Sequence, residues 1–430
     1  MKKLNEFFWG AATSSHQIEG NNTANDWWAW ETAGKLKEPS GIACDSYNRF
    51  REDFDIISKL GHNSHRFSLE WSRLEPEEGK WNDEAFHHYE EVFKELKARG
   101  IEPFVTLHHF TNPQWFADKG GWLADDTVRY FVRYVNKAVK AFGKYVRFWQ
   151  TINEPLVYLY HGFYAGLWPP GVKSYSASMK VFRHQISAHA QAYLAIHKYY
   201  ENELRKPVWV SIAKHLSHFT PCRQGVPQDH WAVFLRSWFF NRLFIDAAVS
   251  GYLFFPGIFS EFLPAKHTLD FIGVNYYTRD FIRFAGLFGG EAGLGQICDK
   301  SHHQDLMKEK NMMGWEVFPA GLYHILKWLG SYHLPVIITE NGIATENDEQ
   351  RVQFIQNHLE AVVKAKNEGV PINGYFYWSL LDNFEWAHGF GPRFGIVDVN
   401  YQTQERKVRQ SAHVLSDLCR NIKGSISAQH

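Results

Sequence analysis

The chain has 430 residues, with 46 basic and 46 acidic side chains and a formal net charge of zero. At roughly 150 residues per domain this length allows about three units, although closed α/β barrels with long loops reach it as one. A balanced charge gives no electrostatic case for nucleic acid or an anionic membrane, and no apolar run approaches the roughly 20 residues of a membrane span.

From the N-terminus, Met-Lys-Lys-Leu-Asn-Glu-Phe-Phe-Trp-Gly lacks the apolar stretch of a signal peptide, so a globular cytoplasmic protein is expected. Short apolar runs ending in polar residues then recur at Phe7–Thr13, Ser64–Glu70, Pro103–His108, Phe148–Asn153, Val208–Lys214, Phe271–Tyr276, Val336–Thr339 and Gly374–Trp378. Continuous apolar runs are what strands buried on both faces require. Helical patterns lie between them. After Asp125 and Asp126, one stripe of Val128, Phe131, Val132, Val135, Ala138, Val139 and Phe142 predicts a helix capped near Gly143. Glu84–Arg99 before Gly100 and Gln350–Glu368 before Gly369 follow the same logic. Alternating strands and helices predict an α/β fold, a (β/α)₈ TIM barrel forming a single domain over residues 1–430 with extended loops at the C-terminal face of the strands; an open sheet is the alternative. The stretch from Phe284 to Asn311 reads as a long loop over the barrel mouth. Cys44, Cys222, Cys298 and Cys419 are far apart without a C-x-x-C pair, which argues against zinc sites and a disulfide framework.

A barrel places its chemistry at the C-terminal ends of different strands. Those ends offer Gln17, Arg66, Glu70, His108, His109, Asn153, Glu154, Asn275, Tyr276, Tyr277, Glu340, Asn341 and Trp378. His108 and His109 are adjacent on a strand, point to opposite faces and cannot readily share one ion. His87-His88 and His302-His303 read as helix or loop surface, and no H-E-x-x-H occurs, so no metal and no cofactor is expected. Thr151-Ile152-Asn153-Glu154-Pro155 and Ile338-Thr339-Glu340-Asn341-Gly342 each end an apolar strand in an acid, on strands nearly opposite in the ring. Each acid alone could be a surface glutamate beginning a loop. Two facing carboxyls fit glycoside cleavage, one protonating the departing oxygen while the other attacks or activates water. The 17 Trp suit that task, since a pyranose C–H face stacks on an indole whose N–H donates to a hydroxyl.

The combination Gln17-Ile18-Glu19-Gly20, Arg66–Arg73 (RFSLEWSR), Asn153-Glu154-Pro155, Asn275-Tyr276-Tyr277, Thr339-Glu340-Asn341-Gly342 and Tyr377–Trp386 (YWSLLDNFEW) resembles the retaining β-glycosidases of glycoside hydrolase family 1, which includes β-glucosidases. The likeness runs from Phe8 to Val397. It implies Glu340 as nucleophile and Glu154 as acid/base, with Arg66, Asn275 and Tyr277 in support and Asn153 on the sugar 2-hydroxyl. It further implies Gln17, His109, Glu385 and Trp386 on the other hydroxyls, Trp378 as stacking platform, and Trp315, with Trp168 and Phe394, on the leaving-group side. The expected substrate is a small-molecule β-glycoside or short oligosaccharide, cut from its non-reducing end. Retention requires carboxyls about 5–5.5 Å apart, where two charges repel; Glu154 is then expected to hold a proton while Glu340, beside Arg66, stays ionised.

Glu154 in place of the Gln of thioglucosidases favours an O-glycoside, and Glu385 in place of the phospho-glycosidase pattern favours an unphosphorylated sugar. The chain departs from the family at Thr111, where Asp is usual, at His16, where Tyr is frequent, and at Ser46, where His is frequent. A transglycosylase using the same intermediate and a non-catalytic sugar-binding relative are the competing readings. Glucose, galactose, fucose or mannose as glycone, the leaving group and the oligomeric state are not fixed by the sequence.

Overall fold

The computed structural model describes residues 4–286, 290–291, 294–303 and 309–427. Eight parallel strands close into a barrel: β1 (Phe8–Ala12), β2 (Ser64–Ser68), β3 (Glu102–His108), β4 (Phe148–Asn153), β5 (Trp209–His215), β6 (Ile272–Asn275), β7 (Val336–Asn341) and β8 (Ile372–Trp378). Each predicted run overlaps its strand, though β3 starts one residue before its run, β5 ends one residue after, β7 ends two residues after and β8 starts two residues before. The ring closes where Phe8 of β1 pairs with Gly374 of β8, and helices cover the outside. The strands are almost wholly buried, as the apolar runs require.

Inside, the lower half of the barrel is packed with the rings of Phe8, Phe104, Phe148, Phe271 and Phe376. Phe104 and Phe148 stack with centroids 4.2 Å apart, and Phe8 meets both edge-on. This aromatic floor leaves only the C-terminal mouth for polar chemistry. The mouth is therefore where the strand-end acids meet.

The three predicted helices form at Asp83–Ala98, Thr127–Phe142 and Asp348–Asn367. Asn82 and Asn347 cap the first and third by accepting backbone N–H groups. Asp126 makes no such bond, and Gly143 keeps right-handed helical geometry rather than a left-handed cap. A Cβ at Gly143 would lie 2.6 Å from the Val139 carbonyl oxygen, so space, not φ, requires glycine there. Gly342, after β7, is likewise required by close approach, since its Cβ would fall on the Trp378 carbonyl of β8.

Two expectations need correction. Cys222 and Cys298, 76 residues apart in sequence, come together as a disulfide with Cα atoms 6.3 Å apart; long-range folding overrides their sequence spacing. The expected long loop from 284 to 311 carries, where described, a strand at Gln296–Ile297 and a helical turn at Lys300–His303. Residues 287–289, 292–293 and 304–308 of it lie outside the described residues. Gln296–Ile297 extends a small sheet with Arg279–Arg283 and His218–Pro221, standing on the barrel mouth beside the cavity.

Candidate active site

The mouth encloses a cavity of about 410 Å³ lined by Gln17, His109, Asn153, Glu154, Tyr277, Trp315, Glu340, Trp378, Glu385, Trp386 and Phe394, among others. Both strand-end acids face this one cavity. β5 and β6 lie between β4 and β7 in the ring, so their ends place His215, Asn275 and Tyr277 between the two carboxyls. Arg66 and Asn275, which do not line the cavity, sit fully buried beneath it.

Arg66 organises the floor. Its guanidinium pairs with Glu340 Oε1, donates to Asn153 Oδ1 at 2.7 Å and also meets Gln150 Oε1. Tyr277 donates its hydroxyl to the other Glu340 oxygen at 2.6 Å. Asn275 Nδ2 donates to Glu154 Oε1 at 2.7 Å and to Asn153 Oδ1 at 3.1 Å, and its own oxygen accepts from Thr339 at 2.6 Å. Each carboxyl is thus held by a planar donor that is itself fixed from below.

The wall carrying Gln17 and Glu385 is equally constrained. Gln17 Nε2 donates to Glu385 Oε2 at 3.1 Å, to Asn383 Oδ1 at 3.0 Å and to the Phe384 carbonyl at 2.8 Å. The His109 ring lies parallel to both Trp378 and Trp386, 5.9 and 6.2 Å away. On the opposite side Trp315 packs on Tyr277 and Phe394. Trp168 stacks on His161 at 4.4 Å. Phe110, Glu154 and Trp386 all adopt positive φ, a costly conformation for side-chain-bearing residues. All three line the cavity, where backbone strain of this kind tends to concentrate.

Not every predicted rim residue belongs to the site. His108 turns outward, its Nε2 3.0 Å from Asn112 Oδ1, as alternation predicts. Tyr276 donates to the Phe318 carbonyl at 2.6 Å, and Asn341 donates to the Tyr276 carbonyl at 2.7 Å, both outside the cavity. Glu70 is buried in a cradle of Ser15, Asn22, Ser72 and Thr111 donors. Thr111, in place of the usual Asp, donates to both Glu70 oxygens at 3.1 and 3.0 Å, where an acid would repel. His16 bridges Glu31 at 3.0 Å and lies parallel to Trp386 at 5.7 Å, steadying that ring. Ser46 donates to Asp53 at 2.8 Å, away from the site.

One residue was missed. His215, the last residue of β5, places Nδ1 3.3 Å from Glu154 Oε1 and Nε2 3.1 Å from Ser217 Oγ, and lies nearly parallel to Tyr277. The sequence reading ended this strand at Lys214; the polar residue following an apolar run was the signal available.

His215 also bears on the electrostatics of the acid pair. Burial pushes the Glu154 carboxyl up, but the charge and hydrogen bond of His215, with Asn275, outweigh it and hold the carboxyl below its usual range. Burial, opposed by Arg66 and Tyr277 and reinforced by repulsion from Glu154, raises Glu340 to about 7. The two carboxyls interact, so they share a proton and titrate as a pair. Glu385 is raised to about 8 by burial and by repulsion from Glu340, with Gln17 opposing.

Residues 3–423 match the profile described as "Glycosyl hydrolase family 1". The chain is 33% identical to Beta-glucosidase A of Thermotoga maritima, over 98% of each chain. It is 30% identical to a Beta-galactosidase of Pyrococcus woesei, over 95% of this chain and 94% of that one. Among solved structures, the beta-glycosidase from Pyrococcus horikoshii superposes with a TM-score of 0.86 at 42% identity, covering 96% of this chain and 94% of its own. The Thermotoga maritima beta-glucosidase in complex with glucoimidazole gives 0.87 at 33% identity, covering 97% and 99%. The strand-end acids, their donors and these likenesses agree: the chain belongs to glycosyl hydrolase family 1 and is a β-glucosidase-like glycoside hydrolase.

Proposed function

We propose that Glu340 is the nucleophile and Glu154 the acid/base of a retaining β-glycosidase acting on O-linked, unphosphorylated β-D-glycosides from the non-reducing end. The observation that carries this reading is the asymmetry of the two carboxyls. Glu340 faces a permanent cation, Arg66, and a phenol; Glu154 faces an amide and a titratable histidine. A carboxylate held by Arg66 is oriented to attack, whereas one held beside His215 can take up and release a proton.

Substrate selects the arrangement with the shared proton on Glu154, because only there can it reach the glycosidic oxygen. Glu340 then bonds to the anomeric carbon as that oxygen leaves with the proton. Ester formation removes the Glu340 charge, the repulsion on Glu154 disappears, and ionised Glu154 takes a proton from water as water attacks the same carbon. Release of the sugar restores Glu340 as a carboxylate and leaves the proton on Glu154.

Asn153, held by Arg66, is positioned for the 2-hydroxyl; Gln17, His109, Glu385 and Trp386 serve the others, and Trp378 supplies a flat face. Arg236 is paired with Glu291, so no free Lys or Arg among the described lining residues awaits a phosphate. Met179, Phe239, Phe240 and Phe255 give the outer cavity an apolar wall on the leaving-group side. The whole chain acts as one catalytic unit in this reading. A panel of nitrophenyl β-glycosides, with NMR of the first product, tests it. The β-anomer is expected first; an initial α-anomer would refute retention.

A further inference from the structure

The small sheet beside the cavity brings four soft or borderline donors together, outside the catalytic site. Cys222 and Cys298 flank one strand, Arg279–Arg283: Cys222 N–H donates to the Ile282 carbonyl and Cys298 N–H to the Phe281 carbonyl, each at 2.8 Å. Their sulfurs and a ring nitrogen of His303 all lie within 4.8 Å of one another. A fourth donor, His302 Nδ1, is 3.5 Å from the Cys298 sulfur. That separation matches the edge, about 3.5 Å, of a tetrahedron with metal–sulfur bonds near 2.3 Å and metal–nitrogen bonds near 2.0 Å.

His303 itself points to a ligand. Its side chain is buried, with only 6% of the residue exposed, and its Nε2 has no hydrogen-bond partner among the described residues. A buried polar nitrogen left unpaired is unfavourable and calls for a partner. The ring is not loose: it stacks on Phe281 with centroids 3.8 Å apart and planes 8° apart. Local sequence pattern alone puts His303 on the surface; folding buries it against two cysteines.

We propose that, with the cysteine pair reduced, Cys222, Cys298 and His303 bind one Zn²⁺, and that His302 takes the fourth position. Two sulfurs and two imidazoles favour zinc over hard cations such as Mg²⁺ or Ca²⁺. Each thiol loses its proton on binding, and the two thiolates neutralise the ion. The disulfide and the zinc site use the same sulfurs and exclude one another. The site would fasten Gln296–Ile297, whose Ile297 lines the outer cavity, to the strand that follows β5. Its role is structural, since none of the four donors lines the catalytic cavity.

The test uses the full chain, produced with zinc in the medium and purified in a thiol-free reductant without chelator. Expected are on the order of one zinc per chain by mass spectrometry of the metal and, after exchange with Co²⁺, thiolate charge-transfer and tetrahedral d–d bands. The double variant Cys222→Ser, Cys298→Ser should lose the zinc and His303→Ala should weaken its retention, while nitrophenyl glycoside turnover confirms that both variants fold. Wild-type Co²⁺ spectra stand independently of the variants. Metal-free protein under these conditions, zinc undiminished in the double cysteine variant, or a Cys222–Cys298 disulfide persisting through reductant would each overturn the proposal.

Discussion

Replacing His215 with Asn separates the proton chemistry of Glu154 from its position. The wild-type imidazole stands 3.3 Å from the Glu154 oxygen. At that separation a protonated ring stabilises the carboxylate by about 1 kcal/mol at the dielectric of water and about 5 kcal/mol at an effective dielectric of 20. At 1.36 kcal/mol per pKa unit, the two limits correspond to about 1 and about 4 units. His215 and Glu154 both open onto the cavity, so the lower half of that range applies. Removing the imidazole removes the interaction that lowers Glu154, so the proton affinity of Glu154 rises, and with it the upper pKa of the carboxyl pair. In wild type kcat/KM should fall as pH rises through about 7, where the shared proton is lost. In His215→Asn the alkaline limb should move up by about one unit or more, while Glu340 and its Arg66 partner remain unchanged. The assay is the pH profile of kcat/KM for a nitrophenyl β-glycoside, with circular dichroism to confirm the fold. An alkaline limb that stays in place, or moves down, would refute the assigned cause of the low Glu154 pKa.

Glu154→Gln keeps the amide contacts but cannot donate a proton. Its kcat should fall about 10²–10⁴-fold on alkyl glycosides and far less on dinitrophenyl glycosides, whose leaving group needs no acid. Equal losses on both would argue against its role. Thr111→Asp removes a donor to Glu70 and sets a like charge beside it, so urea denaturation should show a loss of about 2 kcal/mol or more, whereas Thr111→Ser should cost little. Burial holds His358 at about 4, neutral in the fold; its contribution is present above the unfolded histidine value of about 6.5 and is lost as pH falls toward 4. His358→Gln should therefore flatten the fall in stability between those pH values, measured by denaturation at each pH.

The eight strands were legible because each is buried on both faces and reads as an apolar run, and the mouth was legible because such runs end in polar residues. Glu154 and Glu340 follow from that grammar, and so do Arg66 and Asn275. His215 escaped because strand five was read one residue short of its end. Glu70 misled for a related reason. It follows a barrel strand, yet local donors in the turn after β2 draw its carboxyl away from the cavity. The meeting of Cys222, Cys298 and His303 depends on three strands joined only in the folded sheet, and no local pattern encodes it. The electrostatic bias between the two acids was equally hidden, since it depends on which neighbours the ring places between β4 and β7.

The central claim is that Glu340 bonds to the anomeric carbon. Incubating the enzyme with a 2-deoxy-2-fluoro β-glycoside bearing a good leaving group, then digesting it and sequencing the peptides by mass spectrometry, tests this directly. A fluoroglycosyl ester on Glu340, absent in Glu340→Ala, is the predicted result. An enzyme that turns over substrate but carries the label on another residue, Glu154 included, would contradict it.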